Sequence, residues 1–114
     1  MATVAQGIEI YQGEDKSFDF YVKDDNGDPQ TLTTAAASWQ AWRAGAQLIS
    51  KSTSDGISII NGTGTDDVVR LTLAKEDTAN VEPGVYYHEC RVSLNGNETL
   101  IATGTIAIVE SKTA

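Results

Sequence analysis

Hydrophobic residues in this chain recur at every second position rather than every third or fourth. In "SFDFYVK", Phe18, Phe20 and Val22 alternate with Asp19, Tyr21 and Lys23. In "VVRLTL", Val69, Leu71 and Leu73 alternate with Val68, Arg70 and Thr72. The shorter runs "GISII" and "TIAIV" are apolar and β-branched. A period of two marks strands with one buried face, and no window carries a sustained helical stripe. The pattern predicts strands near 4–11, 17–23, 37–43, 46–51, 56–60, 67–73, 85–92 and 98–109.

Turn signals separate these runs: "DDNGDP", "AG", "NGTGTD" and "LNGN". Pro29 and Pro83 both fall in connections, where a missing N–H costs no ladder bond. The spacing predicts an all-β antiparallel sandwich of seven or eight strands, in one domain over 1–114, with 110–114 a loose tail.

The stretch from Leu71 to Val92 is the exception to pure alternation. Ala74 to Asn80 has fair helix propensity, so one helical turn is expected there. Pro83 and Gly84 then end it and allow a sharp bend. The strand that follows puts Tyr86, His88, Cys90 and Val92 on the inward face and Tyr87, Glu89 and Arg91 outside. Tyr86, just after the bend, is placed to pin the crossover by giving its hydroxyl to a loop backbone group.

Composition narrows the function. The 114 residues suffice for one core without a metal or disulfide, and the hydrophobic share of 40% is ordinary. Cys90 is the only cysteine, which leaves no intrachain disulfide and fits a reducing compartment. The net charge is −8, and the eight basic residues are scattered singly, which argues against a nucleic-acid partner. No apolar stretch approaches the roughly 20 residues of a membrane helix. The opening "MATVAQGIEIY" does not read as a signal peptide. A soluble protein with no membrane partner is expected.

The candidate chemistry is sparse. His88 and Cys90 share a strand face, but a cysteine nucleophile needs access, a lowered pKa and an oriented base, so a packed core is the reading. "DDNGDP" offers Asp24, Asn26 and Asp28 at alternate positions, yet Gly27 comes early and Ala35 holds the twelfth place of an EF-hand loop. A hairpin turn is favoured over a calcium site. Asp66 and Asp67 read as the solvated start of a strand. "NGT" at 61–63 and "NET" at 97–99 match the glycosylation sequon and, without a secretory signal, read as accidental. "NGTGTD" leads into a strand, so no helix dipole would meet a phosphate. Trp39 and Trp42 face opposite ways on one strand. With Trp39 and Ala41 in the core, Trp42 lies outside, either as an interface anchor or covered by a loop, by Tyr21 or by Tyr87. No catalytic residue, cofactor or metal ligand is assigned.

Two resemblances follow from these motifs. "EDTA…VYYHEC" with Trp39 upstream resembles the passage between strands E and F of an antibody variable domain, without the first cysteine and with His88 where a tyrosine is usual. The broader one spans most of the chain. Gly13, Asp24, Gly27, Leu32, Thr33, Asp77, Thr78, Pro83, Gly84, Tyr86, Gly104 and Thr105 stand where the pattern of the immunoglobulin-like β-sandwich domain of tailed-bacteriophage virion proteins wants them. It is similar to the N-terminal domain of baseplate upper proteins; Thr34, where glycine is common, departs from it.

That resemblance implies an immunoglobulin-like sandwich and a structural, non-enzymatic virion component, made in the bacterial host cytoplasm. Capsid decoration or tail and baseplate assembly would be its role. Its partners would be other virion proteins or copies of itself in a symmetric assembly. Trp42, Tyr21 and Tyr87 are the candidate interface residues, while Trp39, Pro83, Gly84, Tyr86 and Cys90 are structural. The alternative is a ligand-binding module, for example for carbohydrate at a host surface, with the exposed aromatics as its platform.

Overall fold

The structure, a computed structural model, describes residues Met1–Lys112. It is all-β apart from one helical turn. The elements in order are β1 (Val4–Ala5), β2 (Ile8–Tyr11), β3 (Lys16–Tyr21), β4 (Ala36–Arg43), β5 (Ala46–Thr53), β6 (Gly56–Ile60), β7 (Val68–Leu73), α1 (Lys75–Thr78), β8 (Gly84–Leu94) and β9 (Asn97–Val109). The nine strands form one continuous sheet in the order β1-β9-β8-β4-β5-β6-β7-β3, with β2 also on β9.

Two expectations need correction. The sheet is mixed rather than antiparallel, because β1 and β2 run parallel to β9 and β5 meets β6 in parallel at Ser52–Gly56 and Thr53–Ile57. The strand expected over 4–11 is two strands, broken at Gln6 and Gly7. The break has a cause: the Gln6 carbonyl accepts a hydrogen bond from His88 Nε2 on β8 at 2.6 Å instead of joining a straight ladder.

The β5–β6 junction carries the chain sideways without reversing it, and beyond it the sheet folds over on itself. Phe20 of β3 and His88 of β8 stand far apart in strand order, yet their ring centroids are 6.0 Å apart. The core between the two halves is built from the alternating positions: Phe20, Val69, Leu71, Leu73 and Ile57 from one side, and Trp39, Ala41, Tyr86, Cys90, Val92 and Ile106 from the other. Burial of apolar area at roughly 25 cal/mol per Å² makes this the main stabilising term.

Local chemistry sets the turns. Asn95 (φ 54°) and Gly96 (φ 81°) close β8–β9 with two positive φ values, the conformation that Asn-Gly suits. Ala44 (φ 50°) and Gly45 (φ 80°) close β4–β5 in the same way, with an alanine where the conformation is costly. At "DDNGDP", the Asp24 carboxylate accepts from the N–H of Asn26 at 2.9 Å and of Asp28 at 3.0 Å, and Lys23 pairs with Pro29. The acidic group closes a turn.

The crossover from β7 to β8 follows its expected course. Asp77 Oδ2 caps the Ala74 N–H at 2.8 Å, and its Oδ1 pairs with Lys51 Nζ at 3.0 Å. Buried Thr78 accepts from Gly13 N–H at 3.0 Å. After Pro83 and Gly84, the Tyr86 hydroxyl donates to the Glu82 carbonyl, so the bend is closed by the residue that follows it. Arg43 stacks over the Tyr86 ring at 5.4 Å.

Asp67 is not the solvated group expected. It is 2% exposed, and its carboxylate accepts from Thr63 Oγ1 at 2.5 Å, Gly62 N–H at 3.1 Å and Thr63 N–H at 3.2 Å. Gly62 lets this loop lie on Val68, which is buried although it alternates outward; a Cβ on Gly62 would come within 2.4 Å of the Val68 side chain. Of the tail expected over 110–114, Glu110 to Lys112 follow β9 outside any strand, and residues 113–114 lie outside the described residues.

Candidate interaction surface

The inward face of β8 holds the two residues that invite a catalytic reading. Cys90 is fully buried, and desolvation pushes its thiol pKa up to about 12, far from a reactive thiolate. His88 is fully buried too. Its Nδ1 accepts the Trp39 indole N–H at 3.1 Å, and Nε2 meets the Gln6 carbonyl at 2.6 Å. The indole is only a donor and the carbonyl only an acceptor, so the ring is the neutral tautomer protonated at Nε2. Burial pushes the His88 pKa below its ordinary value, against the opposing effect of the Gln6 bond. His88 and Cys90 therefore belong to the core with Trp39.

The outward face of β9-β8-β4-β5 is different. Register sets Thr105, Tyr87, Trp42 and Gln47 in one row across the four strands. Thr103, Glu89, Gln40 and Ser50 form the next, and Val85 lies beside Ala107. Val85 is 66% exposed and Tyr87 43%. Trp42 is half-buried instead of standing free, with Tyr87 directly opposite it. Between the Val85 and Arg91 rows these strands carry only two charged residues outward, Glu89 and Arg91. They pair with each other at 3.7 Å, and the Tyr87 hydroxyl donates to Glu89 at 3.1 Å. Desolvation and that bond raise the Tyr87 pKa, which keeps the phenol neutral. The outward charges of this stretch therefore cancel, and the formal −8 of the chain lies outside it.

Tyr21 does not join this row. It sits on β3 at the other end of the sheet, 51% exposed, with its ring against Gly62. The three candidate aromatics thus divide into a pair and a single residue, and no platform of all three forms.

Two grooves flank α1. One of about 570 Å³ is lined by Gln12, Gly13, Lys75, Glu76, Ala79, Asn80 and Ser111. The other, about 400 Å³, lies between the β4–β5 turn and the crossover, with Arg43, Leu48, Val81, Glu82 and Tyr86 in its walls. Among the described residues no group of three His, Cys, Asp or Glu side chains could hold a metal ion, and no helix is long and apolar enough to cross a membrane.

Alternation placed Trp39, Tyr86, His88 and Cys90 inside and Tyr87 outside. It did not single out Gln6 or Asp67. The Gln6 signal was the Gln-Gly pair inside an otherwise regular strand; the Asp67 signal was Asn-Gly-Thr-Gly-Thr-Asp, a loop rich in N–H and hydroxyl donors.

No family model and no curated protein matches the chain. Among solved structures, it is similar to a chain in a crystal structure of the ZIG-8–RIG-5 IG1–IG1 heterodimer, at 14% identity and a TM-score of 0.47, over 96% of this chain and 84% of that one. At that level the likeness is loose, and the fold description rests on the strand order alone.

Proposed function

We propose that the chain is a non-enzymatic assembly domain that works through protein–protein contacts, with the neutral face around Trp42 and Tyr87 as its contact. The observation that supports this most directly is the row Thr105–Tyr87–Trp42–Gln47: an aromatic pair on a sheet face of a strongly acidic molecule whose outward charges between the Val85 and Arg91 rows, Glu89 and Arg91, pair with each other. Tyr and Trp are enriched where interfaces concentrate their energy.

We read the fold as an immunoglobulin-like sandwich. The strand order supports this: β9, β8, β4 and β5 in one layer with β1 and β2 parallel to β9, and β6, β7 and β3 in the other. The tyrosine that closes its own crossover supports it further. The sequence resemblance to tailed-phage virion domains supplies the setting, a structural component in capsid decoration or in tail or baseplate assembly. Its partners there are other virion proteins or further copies of the chain.

The experiment is Trp42→Ala, with circular dichroism as the control for folding and pull-down or particle incorporation as the readout. The expected result is a folded variant whose binding is weaker by about 2 kcal/mol, the loss typical of a truncated anchor. A folded variant that incorporates as well as the parent refutes the contact. A tryptophan fluorescence change on adding sugars, lost in Trp42→Ala, would turn the same face into a carbohydrate site.

A further inference from the structure

Three asparagines precede a glycine: Asn26–Gly27, Asn61–Gly62 and Asn95–Gly96. Such a pair carries a reaction that needs no enzyme. The glycine backbone nitrogen can attack the asparagine Cγ, because the glycine has no side chain to crowd the approach. All three pairs are exposed, so exposure does not separate them. The state of the attacking N–H does.

The Gly27 N–H donates to the Asp24 carbonyl at 3.0 Å, in a turn that the Asp24 carboxylate also closes through the N–H groups of Asn26 and Asp28. The Gly62 N–H is held by two acceptors, the Thr65 carbonyl at 3.2 Å and the Asp67 carboxylate at 3.1 Å. That carboxylate is buried and, with its pKa lowered by its donors, charged, so an anion forming on the Gly62 nitrogen would face it directly. The Asn61 side chain is restrained as well, its Oδ1 accepting from the Gly64 N–H at 3.2 Å.

The β8–β9 turn differs. Among the described residues, neither the Gly96 N–H nor the Asn95 side chain has a hydrogen-bond partner. The turn is two residues long, and the ladder begins only at the Leu94–Asn97 pair. Asn95 to Glu98 are all exposed, so the tip can open without disturbing the core.

We propose that Asn95 is a site of spontaneous deamidation, while the fold protects Asn26 and Asn61. The Gly96 nitrogen gives its proton to hydroxide and forms a bond to Asn95 Cγ. The Cγ–Nδ2 bond breaks, and ammonia leaves with a proton from water. A second water opens the resulting succinimide at one of its two carbonyls, which leaves an aspartate or an isoaspartyl link. The net change is one water consumed and one ammonia released. It adds one negative charge to the formal −8, close to exposed Glu98 at the hairpin tip. The isoaspartyl product also carries an extra backbone carbon, which alters a turn whose two residues fix the register of the strands. The Leu94–Asn97 pair is the first to loosen.

The test is peptide mapping by mass spectrometry on the full chain aged at pH 8, both folded and in concentrated urea. In urea the three sites lose their structural differences and should convert at rates within about threefold of one another. In the folded chain Asn95 should convert at least about tenfold faster than Asn26 or Asn61, because those two need a local opening first. Isoelectric focusing gives a second readout. The acidic form that accumulates in the parent should be largely absent from Asn95→Gly, whose Gly-Gly turn suits the same conformation. Ala44→Asn places the same pair in the other two-residue turn, where φ is 50° and 80° and the Gly45 N–H also has no partner among the described residues. Position 44 should then convert at a rate close to that of Asn95, and a position 44 that stays intact refutes the free N–H as the deciding factor. The proposal is overturned if Asn95 stays intact in the folded chain while the urea sample converts. It is equally overturned if Asn26 or Asn61 keeps pace with Asn95 in the folded chain, or if Asn95→Gly accumulates the acidic form as fast as the parent.

Discussion

The Tyr86 hydroxyl donates to the Glu82 carbonyl across the Pro83–Gly84 bend, while the Tyr87 hydroxyl reaches only Glu89, its neighbour on the outer face. Removing the first leaves a carbonyl at the crossover unpaired. Tyr86→Phe should therefore lower stability by about 0.5–1.5 kcal/mol. Tyr87→Phe should leave the denaturant midpoint unchanged; equal midpoint losses in the two variants would contradict the facing described. Asp67 makes the same point for a charge. Thr63 and the N–H groups of Gly62 and Thr63 hold its carboxyl below the usual carboxylate range, overcoming burial. Its folded pKa is depressed, so its contribution is complete above the ordinary carboxylate pKa of about 3.9 and is lost as pH falls through the folded value. Denaturation between pH 7 and pH 3 should show Asp67→Asn less stable than the parent at neutral pH, with the difference shrinking at the acid end. Alternation could not find this group, because what buries it is a loop folding over a strand end.

The strand spans were legible at the level of the element because each has one buried face, and a period of two records that face directly. Lys16–Tyr21, Gly56–Ile60 and Val68–Leu73 lie within a residue or two of the expected ranges. What alternation cannot encode is the partner of a strand. The parallel pairing of β1 and β2 with β9 depends on residues about a hundred positions away, and the break at Gln6 on His88, 82 positions away. Hairpins are the opposite case, since their two-residue turns are local. The β8–β9 turn has Asn-Gly in its two positive-φ places, but the β4–β5 turn has Ala44 at φ 50°. An alanine in the left-handed region is strained, and asparagine tolerates it. Ala44→Asn should thus raise stability by about 0.5–1 kcal/mol, measured as a higher denaturation midpoint at unchanged slope.

For the whole molecule, turn spacing and alternation announced an all-β domain, but closure of the sheet required long-range evidence such as the meeting of Phe20 with His88. The candidate surface was half legible. The sequence shows three aromatics that alternate outward, and only the fold shows that Trp42 and Tyr87 are cross-strand neighbours while Tyr21 lies on the far edge. The pairing of first and last strands has a mechanical side. Because β2 runs parallel to β9, a pull on the chain at Val4 and at Val109 draws the two strands past each other along their length. The backbone bonds from Ile8–Ile106 to Tyr11–Val109 then bear the load together, in shear, and cannot be peeled one after another. Tension between neighbours in an assembly would meet its resistance at this short seam, with β1 the first piece to yield.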